Sequence, residues 1–395
     1  MFERAHLQLV TERVLEPRNF IQVLMGPRQV GKTTLAGQLV KQINIPWLLE
    51  SADDIPASNT KWLEQIWESG RLKLRSLAAQ ELLIIIDEIQ KVPKWSETVK
   101  KLWDEDSLSG TGIKLLLLGS SRLLLQQGLS ESLAGRFEVI HMNHWSYAEM
   151  NGSFGWNSYK YAWFGGYPGS AVLTGDEERW KRYIRDSIIE ASVSRDILML
   201  TRIDKPALMK RLFEIGCLYS GRILSYTKIQ GQLQDAGNTT TLSHYLGLLD
   251  AAGLLGGIEK YSANIIRKRA SSPKFQVYNN ALVSSQRTED FDEISVNPRE
   301  WGHIVESAIG THLLNSSVSE NFSVYYWRER SHEVDFVLER KGKIIAIEVK
   351  SAFSGGKRAG VDAFNKLFHP DRTYLIDNKS LSWQEFLNIN PADLF

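Results

Sequence analysis

The fold of this chain is decided by eight residues that follow an apolar run near its amino end, Gly26-Pro27-Arg28-Gln29-Val30-Gly31-Lys32-Thr33. They match the pattern G-x-x-x-x-G-K-[ST] at every fixed position, between a strand-like run (20–25) and a helix-like one (34–43). Glycines at these places let backbone N–H groups wrap phosphate oxygens, while Lys32 reaches the outer phosphates and Thr33 supplies an Mg²⁺ ligand. The stretch predicts a phosphate-binding loop, in which we include Thr34.

A buried strand that ends in two carboxylates supplies the second half of such a site. The apolar run 82–86 leads directly into Asp87 and Glu88. We expect Asp87 to hold Mg²⁺ through water and Glu88 to polarise an attacking water, because hydrolysis needs a base as well as a metal. Glu88 therefore favours nucleotide hydrolysis over binding alone.

Polar residues after a third strand-like run (114–118) are candidates for contact with the terminal phosphate. Ser120 and Ser121 are candidate sensors of that phosphate, although small polar residues after a strand are also common in turns. Arg122 and Arg136 are candidate arginine fingers, that is, arginines that stabilise charge on the transferred phosphate. If Arg136 acts on a neighbouring copy, the chain must form a homo-oligomer.

A second group of charged residues lies on strand-like runs near the other end of the chain. Alternation along 343–350 places Glu348 and Lys350 on one face, and a hairpin turning near 341–342 brings Asp335 opposite them. We expect Asp335 and Glu348 to bind Mg²⁺ or Mn²⁺ and Lys350 to orient or deprotonate a water that attacks a phosphodiester. A Glu-x-Lys pair on an edge strand is also ordinary solvation, so the pattern alone leaves both interpretations open.

The helix before these strands carries a third acid. Glu306 has Gly302 and Gly310 about one turn away on either side, which predicts an open helix face beside it. We expect Glu306 to complete the metal site with the two acids on the strands.

Composition limits the class of protein. A chain of 395 residues is expected to form two or three domains of about 100 to 200 residues. Its content of 43% apolar and 24% charged residues excludes disorder as the main state. Because the net charge is only +1, any binding of nucleic acid would require a local basic patch. The single cysteine, the absence of an apolar leader and the lack of an apolar run near 18 residues predict a cytoplasmic protein with no membrane partner.

The chain divides into four segments by pattern. Strand-like and helix-like runs alternate over 1–150, which predicts α/β structure with a parallel sheet. An aromatic, then helical stretch over 151–200 is typical of a lid or connector. Three short helices and a hairpin are predicted over 201–270, where ten Lys or Arg against five Asp or Glu give +5. A smaller α/β unit is predicted over 271–395.

These motifs together resemble those of prokaryotic AAA-like ATPases, related to archaeal-type P-loop ATPases, that carry a C-terminal PD-(D/E)xK restriction-endonuclease-like domain. The matching stretches are 26–33, 86–93, 119–121, 133–136, 145–149, 165–168, 195–197, Asp335 and 348–350. The resemblance implies a P-loop NTPase core with a parallel sheet over 1–150, a winged-helix-like middle domain over 201–270 and a nuclease-like α/β domain over 271–395. It also implies ATP as the bound nucleotide, but it indicates little about the biological task.

Three hypotheses of different classes follow from the sequence. The leading one is a Mg²⁺-dependent ATPase that binds DNA through 201–270 and carries a metal-dependent nuclease-like domain. The second is a nucleotide-switched regulatory or interaction protein, like a toxin–antitoxin module, whose nuclease-like domain is a non-cleaving binding platform. The third is an ATP-driven protein remodeller, which would require ring assembly with Arg136 reaching a neighbour.

Overall fold

The structure is a computed structural model that describes residues 2–53, 55, 59, 61–120, 129, 132–197, 203–233, 238–262, 271–350, 359–377 and 379–395, with only the backbone of Arg195 and Asp196. The chain forms two compact units, Met1–Met142 and Asn143–Phe395. The first unit ends at Met142, and the predicted domain boundary at residue 150 stays a prediction.

The first unit is built on a parallel sheet in the order β2-β3-β4-β1-β5. Its strands are β1 (Ile21–Met25), β2 (Trp47–Ser51), β3 (Leu82–Asp87), β4 (Ile113–Gly119) and β5 (Phe137–His141). Its helices are α1 (Ala5–Leu15), α2 (Lys32–Gln42), α3 (Trp62–Ser76) and α4 (Trp95–Ser109), and a 3₁₀ turn covers Ile89–Lys91. The predicted parallel α/β architecture is confirmed for this unit.

Helices cover both faces of this sheet, which explains the continuous apolar runs 82–86 in β3 and 115–118 in β4. Along β3, Leu82, Ile84 and Ile86 pack into a core on one face with residues of α3 and α4. Leu83 and Ile85 pack into a second core on the other face with residues of α1 and α2. Because all five strands are parallel, the loops after β1, β3 and β4 all lie at the carboxyl-terminal end of the sheet.

The second unit contains a mixed sheet in the order β12-β11-β10-β9-β7-β8-β6. Its strands are β6 (Arg222–Ile223), β7 (Leu255–Lys260), β8 (Lys274–Val277), β9 (Ser323–Glu329), β10 (His332–Arg340), β11 (Lys343–Val349) and β12 (Arg372–Ile376). The β7–β9 and β11–β12 pairs are parallel, and the other pairs are antiparallel. The sheet thus takes strands from both 201–270 and 271–395, and the finer domain boundaries within 151–395 stay a prediction.

The helices of the second unit lie before, between and after these strands along the chain. They are α5 (Tyr147–Phe154), α6 (Ser158–Phe164), α7 (Glu177–Tyr183), α8 (Pro206–Leu218), α9 (Tyr226–Gln232), α10 (Thr239–Ala251), α11 (Ala281–Ser284), α12 (Phe291–Ser295), α13 (Pro298–Glu320), α14 (Ala359–Phe368) and α15 (Trp383–Phe386). Two 3₁₀ segments cover Pro168–Leu173 and Pro391–Leu394, and two π-helical segments cover Ile184–Ile189 and Ala191–Ile197.

The long helix α13 packs closely on the sheet. A Cβ atom at Gly310 would lie 2.1 Å from Gln276 Oε1 and 3.0 Å from the Phe336 ring, so only glycine allows this approach. The side chain of Gln276 on β8 donates to the Ser307 carbonyl at 2.8 Å. Gly310 therefore serves helix–sheet packing, which corrects the expectation that it leaves an open face beside Glu306.

Among the described residues, no helix is both long and apolar enough to span a membrane.

Candidate nucleotide site and carboxylate cluster

The predicted phosphate-binding loop joins β1 to α2 at the edge of the sheet where parallel strands end. Gly26 directly follows β1, and a Cβ atom there would lie 2.0 Å from the Met142 carbonyl oxygen. Gly31 precedes α2 with φ of 96°, a left-handed conformation that favours glycine. Both fixed glycines are thus required by backbone geometry, and the loop ends at a helix N-terminus, where phosphate binding is favourable.

Lys32 is folded back into the loop. Its ammonium donates to the Gly26 carbonyl at 2.9 Å and to the Pro27 carbonyl at 2.8 Å, and the residue is buried. These carbonyls hold the positive charge inside the loop. A phosphate group bound by the loop would therefore meet a preformed cation at its centre.

Thr33 and Asp87 meet although they are far apart in the chain. The Thr33 hydroxyl donates to Asp87 Oδ2 at 2.5 Å, while Asp87 Oδ1 accepts from the Glu88 backbone N–H at 2.9 Å. Hydroxyl and carboxylate oxygens are the ligands that Mg²⁺ takes beside nucleotide phosphates, and the remaining ligands are phosphate oxygens and water. The donor set of Thr33 and Asp87 therefore fits a nucleotide-bound Mg²⁺.

Glu88 is held by two polar side chains. Its Oε2 accepts from Gln90 Nε2 at 2.5 Å and from the Ser120 hydroxyl at 2.9 Å. Its backbone φ of 53° is left-handed, which is uncommon for a non-glycine residue and frequent where side chains are positioned for function. Glu88, Gln90 and Ser120 thus form one hydrogen-bonded group beside Thr33 and Asp87.

Gln90 was not singled out by the sequence analysis. Its position two residues after Glu88, in the 3₁₀ turn Ile89–Lys91, was the available signal. Ser121 and Arg122 lie outside the described residues, so their predicted roles stay predictions. The side chains of Arg195 and Asp196, in the matching stretch 195–197, also lie outside the described part of the chain.

Arg136 lies at the amino-terminal end of the strands, and the loop lies at their carboxyl-terminal end. Its carbonyl accepts from the Ile21 backbone N–H at the start of β1, whereas the loop follows the end of β1. A strand of this length separates the two by about 16 Å. The guanidinium donates to Asp104 through Nε at 2.8 Å and Nη2 at 3.0 Å. Arg136 therefore does not reach the loop of its own chain, and action on a neighbouring copy stays a prediction.

The second predicted group of residues is brought together in the second unit. The antiparallel register of β10 and β11 pairs Phe336 with Ile347, which sets Asp335 opposite Glu348. Asp335 Oδ2 accepts from the Val349 backbone N–H at 2.8 Å, and Lys350 donates to Glu348 Oε1 at 2.9 Å. The hairpin and the shared face of Glu348 and Lys350 therefore match the sequence expectation.

A lysine that the sequence analysis missed completes this carboxylate cluster, which consists of Glu306, Asp335, Glu348, Lys350 and Lys274. Lys274 is the first residue of β8, and its ammonium donates to Glu306 Oε1 at 2.7 Å and to the Asp335 carbonyl at 3.1 Å. The predicted open space beside Glu306 is therefore filled by a cation. The available signal was a lysine placed directly before the apolar residues of a short strand.

Burial shifts the ionisation of the two acids on the hairpin. Burial, and then the nearby Glu306 carboxylate, raise the pKa of Asp335 to about 7. Burial, and then the Asp335 carboxylate, raise the pKa of Glu348 to about 7, against the opposing effect of Lys350. Acids this crowded hold their negative charge less readily than exposed ones.

The carboxylate cluster does not fit a divalent metal ion. Among the described residues, no three His, Cys, Asp or Glu side chains are grouped so as to hold one. Lys274, Val349 N–H and Lys350 already bond to Glu306 Oε1, Asp335 Oδ2 and Glu348 Oε1. The prediction of an Mg²⁺ or Mn²⁺ centre at Glu306, Asp335 and Glu348 is therefore unsupported.

Three family models match parts of the chain. Residues 18–151 match an AAA domain, residues 156–292 match a domain of unknown function (DUF8612), and residues 301–386 match another domain of unknown function (DUF4143). The first unit thus carries an AAA-type P-loop domain. The descriptions of the other two families assign no activity to the second unit.

Similar whole proteins are known from bacteria and archaea. An uncharacterized protein of Mycobacterium tuberculosis is 28% identical over 340 residues, covering 84% of this chain and 70% of the relative. An uncharacterized protein of Methanocaldococcus jannaschii is 23% identical over 345 residues, covering 82% and 73%. Because the matched length of 340 residues exceeds that of either unit, the match reaches into both units.

Two solved structures overlap with the chain at low similarity. The Orc1 protein of Aeropyrum pernix in complex with DNA overlaps with 73% of this chain and 93% of its own, at 14% identity and a TM-score of 0.31. AMPPCP-bound DnaA of Aquifex aeolicus overlaps with 63% and 89%, at 16% identity and a TM-score of 0.33. Overlaps at this level support no conclusion about this chain.

Proposed function

We propose that the first unit binds ATP with Mg²⁺ and hydrolyses it. The observation that carries the proposal is the meeting of Lys32, Thr33, Asp87, Glu88 and Ser120 where β3, β4 and β1 end side by side. An amine, two metal-ligand oxygens, a carboxylate base and a hydroxyl are the groups that transfer of a phosphoryl group to water requires.

Each of these residues has a distinct task in the proposed reaction. Lys32 exchanges its bonds to the Gly26 and Pro27 carbonyls for bonds to the β- and γ-phosphates. Thr33 and Asp87 hold Mg²⁺, which when bound stabilises negative charge on the phosphate oxygens. Glu88 orients the attacking water and accepts its proton.

The two side chains that hold Glu88 fix one oxygen of its carboxylate. Its Oε2 accepts from Gln90 Nε2 and from the Ser120 hydroxyl. In the proposed reaction, Oε1 is the oxygen that orients the water and accepts its proton. Ser120 follows β4 on the same edge as the loop, so contact with the terminal phosphate would release its hydroxyl from Glu88.

Substitution of Lys32 tests the proposed ATPase. A Lys32→Ala protein is expected to lose ATP binding and to hydrolyse ATP about 10²- to 10³-fold more slowly, since it lacks the cation that meets the phosphates. Release of inorganic phosphate with Mg²⁺ measures turnover, and equilibrium binding of a fluorescent ATP analogue measures affinity. Lys41→Ala is the matched control, because Lys41 is exposed at the other end of α2. Unchanged turnover in Lys32→Ala would refute the assignment.

We propose further that the second unit contacts DNA through the basic segment 201–270. The support is its charge, ten basic against five acidic residues, while the rest of the chain sums to −4. In the described part of this segment, six basic residues stand against four acidic ones, which leaves +2. The basic run 267–269 lies outside the described residues and supplies the rest of the excess.

Salt dependence tests this contact. Binding of a labelled duplex, followed by fluorescence anisotropy, is expected to weaken about tenfold or more between 50 and 200 mM salt, because phosphate contacts release counterions. A protein with Arg267, Lys268 and Arg269 changed to Gln is expected to lose most of that dependence. The same loss of charge at Lys94, Lys100 and Lys101, which are exposed on the first unit, is the control. Binding that barely responds to salt would count against DNA.

Two hypotheses remain for the carboxylate cluster, a metal-dependent nuclease centre and a non-cleaving platform controlled by the nucleotide. The bond between Lys274 and Glu306 favours the platform. The remodeller hypothesis depends on a ring in which Arg136 reaches a neighbouring copy, and the Arg136–Asp104 pair would have to open for it.

A further inference from the structure

Lys274 is enclosed by the carboxylate cluster and by the fold around it. The side chain has no exposed surface, whereas Glu306 and Asp335 keep 22% and 16% of theirs. Its ammonium lies 2.7 Å from Glu306 Oε1, 3.1 Å from the Asp335 carbonyl and 3.7 Å from Asp335 Oδ1. It also lies 4.4 Å from the centre of the Phe336 ring, a favourable position for a cation.

The ammonium of Lys274 carries its charge despite this enclosure. Burial by itself would lower the pKa of Lys274, but the carboxylates of Glu306 and Asp335 outweigh burial and raise the pKa above its ordinary value. A buried amine is stable in this form only when its charge is paired and its hydrogens are bonded. The cluster provides both.

We infer that Lys274 is the built-in counter-ion of the carboxylate cluster and occupies the place that a divalent cation would need between Glu306 and Asp335. The second unit is therefore not a metal-dependent nuclease. The inference concerns the second unit alone and does not rest on ATP hydrolysis by the first.

The hydrogen bonds of the carboxylate oxygens in the cluster support this inference. Glu306 Oε1, Asp335 Oδ2 and Glu348 Oε1 each accept a hydrogen bond from an N–H donor of the chain. Glu348 Oε2 is buried and has no hydrogen-bond partner among the described residues. Asp335 Oδ1 lies 3.7 Å from the Lys274 ammonium. Two ammonium groups, on Lys274 and Lys350, thus already neutralise the carboxylates that a divalent cation would need.

Lys274 in this position joins three elements of the second unit. It belongs to β8, Glu306 to α13 and Asp335 to β10, and β8 is separated from β10 in the sheet by β7 and β9. The Lys274 side chain has no exposed surface, so the cluster holds its own cation between β8, α13 and β10.

The wild-type protein gives the first test. Binding of Mn²⁺ to nucleotide-free full-length protein is measured by electron paramagnetic resonance, beside Glu348→Gln. Nicking of supercoiled plasmid in Mn²⁺ is measured on the same two proteins. We expect equal Mn²⁺ binding and no nicking in either. Mn²⁺ binding or nicking that is present in the wild type and absent from Glu348→Gln would overturn the inference.

Removal of the cation gives the second test. Lys274→Met is expected to lower the midpoint of thermal unfolding by on the order of 10 °C, because the partly buried Glu306 and Asp335 carboxylates lose their partner. The double variant Lys274→Met/Glu306→Gln is expected to recover much of that loss, because one of the unpaired charges is gone. Millimolar Mn²⁺ is expected to stabilise Lys274→Met and not the wild type.

A matched control separates this effect from the loss of any buried lysine. Lys181 is also buried and lies 3.3 Å from Glu177 in the same unit, away from the cluster. Lys181→Met is expected to be destabilised without recovery by Glu306→Gln or by Mn²⁺. If Lys274→Met behaves in the same way as Lys181→Met, Lys274 is not the counter-ion of the cluster. If Lys274→Met does not fold, the comparison of wild type with Glu348→Gln still decides the matter.

Discussion

A Glu88→Gln protein is expected to bind ATP as tightly as the wild type and to hydrolyse it about 10²- to 10⁴-fold more slowly. Glutamine keeps the size of the side chain and can still bond to Gln90 and Ser120, but it cannot accept a proton from water. The loss should therefore fall on the chemical step. Single-turnover hydrolysis with excess protein and equilibrium binding of a fluorescent ATP analogue measure the two quantities separately.

The matched control for this substitution is Glu97→Gln, because Glu97 is exposed in the first turn of α4. Its hydrolysis rate should equal that of the wild type. If Glu88→Gln hydrolyses ATP as fast as the wild type, the base is another group. If it loses ATP binding as well, Glu88 acts on the structure of the loop and not on water.

An Asp106→Ala protein is expected to lose about 3 to 5 kcal/mol of the free energy of unfolding of the first unit, because a buried charged network loses its centre. Asp106 is buried on α4 and accepts from Trp67 Nε1 at 2.6 Å and Arg71 Nε at 2.8 Å, both on α3. Without it, a buried indole N–H has no acceptor and the guanidinium loses its inner partner. Domains are stable by about 5 to 15 kcal/mol, so such a loss is severe.

Urea unfolding followed by tryptophan fluorescence measures this loss. Asp104→Ala is the control on the same helix, because Asp104 pairs with Arg136 where both side chains are partly exposed. A pair of that kind contributes less than about 1 kcal/mol. If Asp104→Ala and Asp106→Ala are equally stable, the buried hydrogen bonds of Asp106 do not stabilise the packing of α3 on α4.

The sequence predicted those parts of the fold whose signal is local. The loop 26–33, the apolar strands β3 and β4 and the hairpin at 341–342 each follow from neighbouring residues, and the structure contains them. Strands β2 and β5 were not predicted. They are the two edge strands of the first sheet, where β2 is partly exposed and its apolar run is only three residues long.

The roles of Lys274 and Arg136 could not be predicted because they depend on distant parts of the chain. Lys274 meets Glu306 across 32 positions and Asp335 across 61, and no pattern within a short window encodes such contacts. Arg136 lies just before β5. Only the parallel pairing of β5 with β1 reveals that Arg136 lies at the amino-terminal end of these strands, whereas the loop follows the carboxyl-terminal end of β1. Likewise, the bonds from Gln90 and Ser120 to Glu88 follow from the adjacency of β3 and β4.

Strand β7 lies in the sheet of the second unit between β9–β12 on one side and β6 and β8 on the other. It bonds to β8 on one side and to β9 on the other, and the Tyr261 N–H donates to the Tyr326 carbonyl just past its end. A fragment that begins at residue 271 would lack this strand and would present bare strand edges, which are templates for aggregation. The basic segment 201–270 and the carboxylate cluster are therefore tied to one sheet, and deletion of 255–260 would separate β8 from β9.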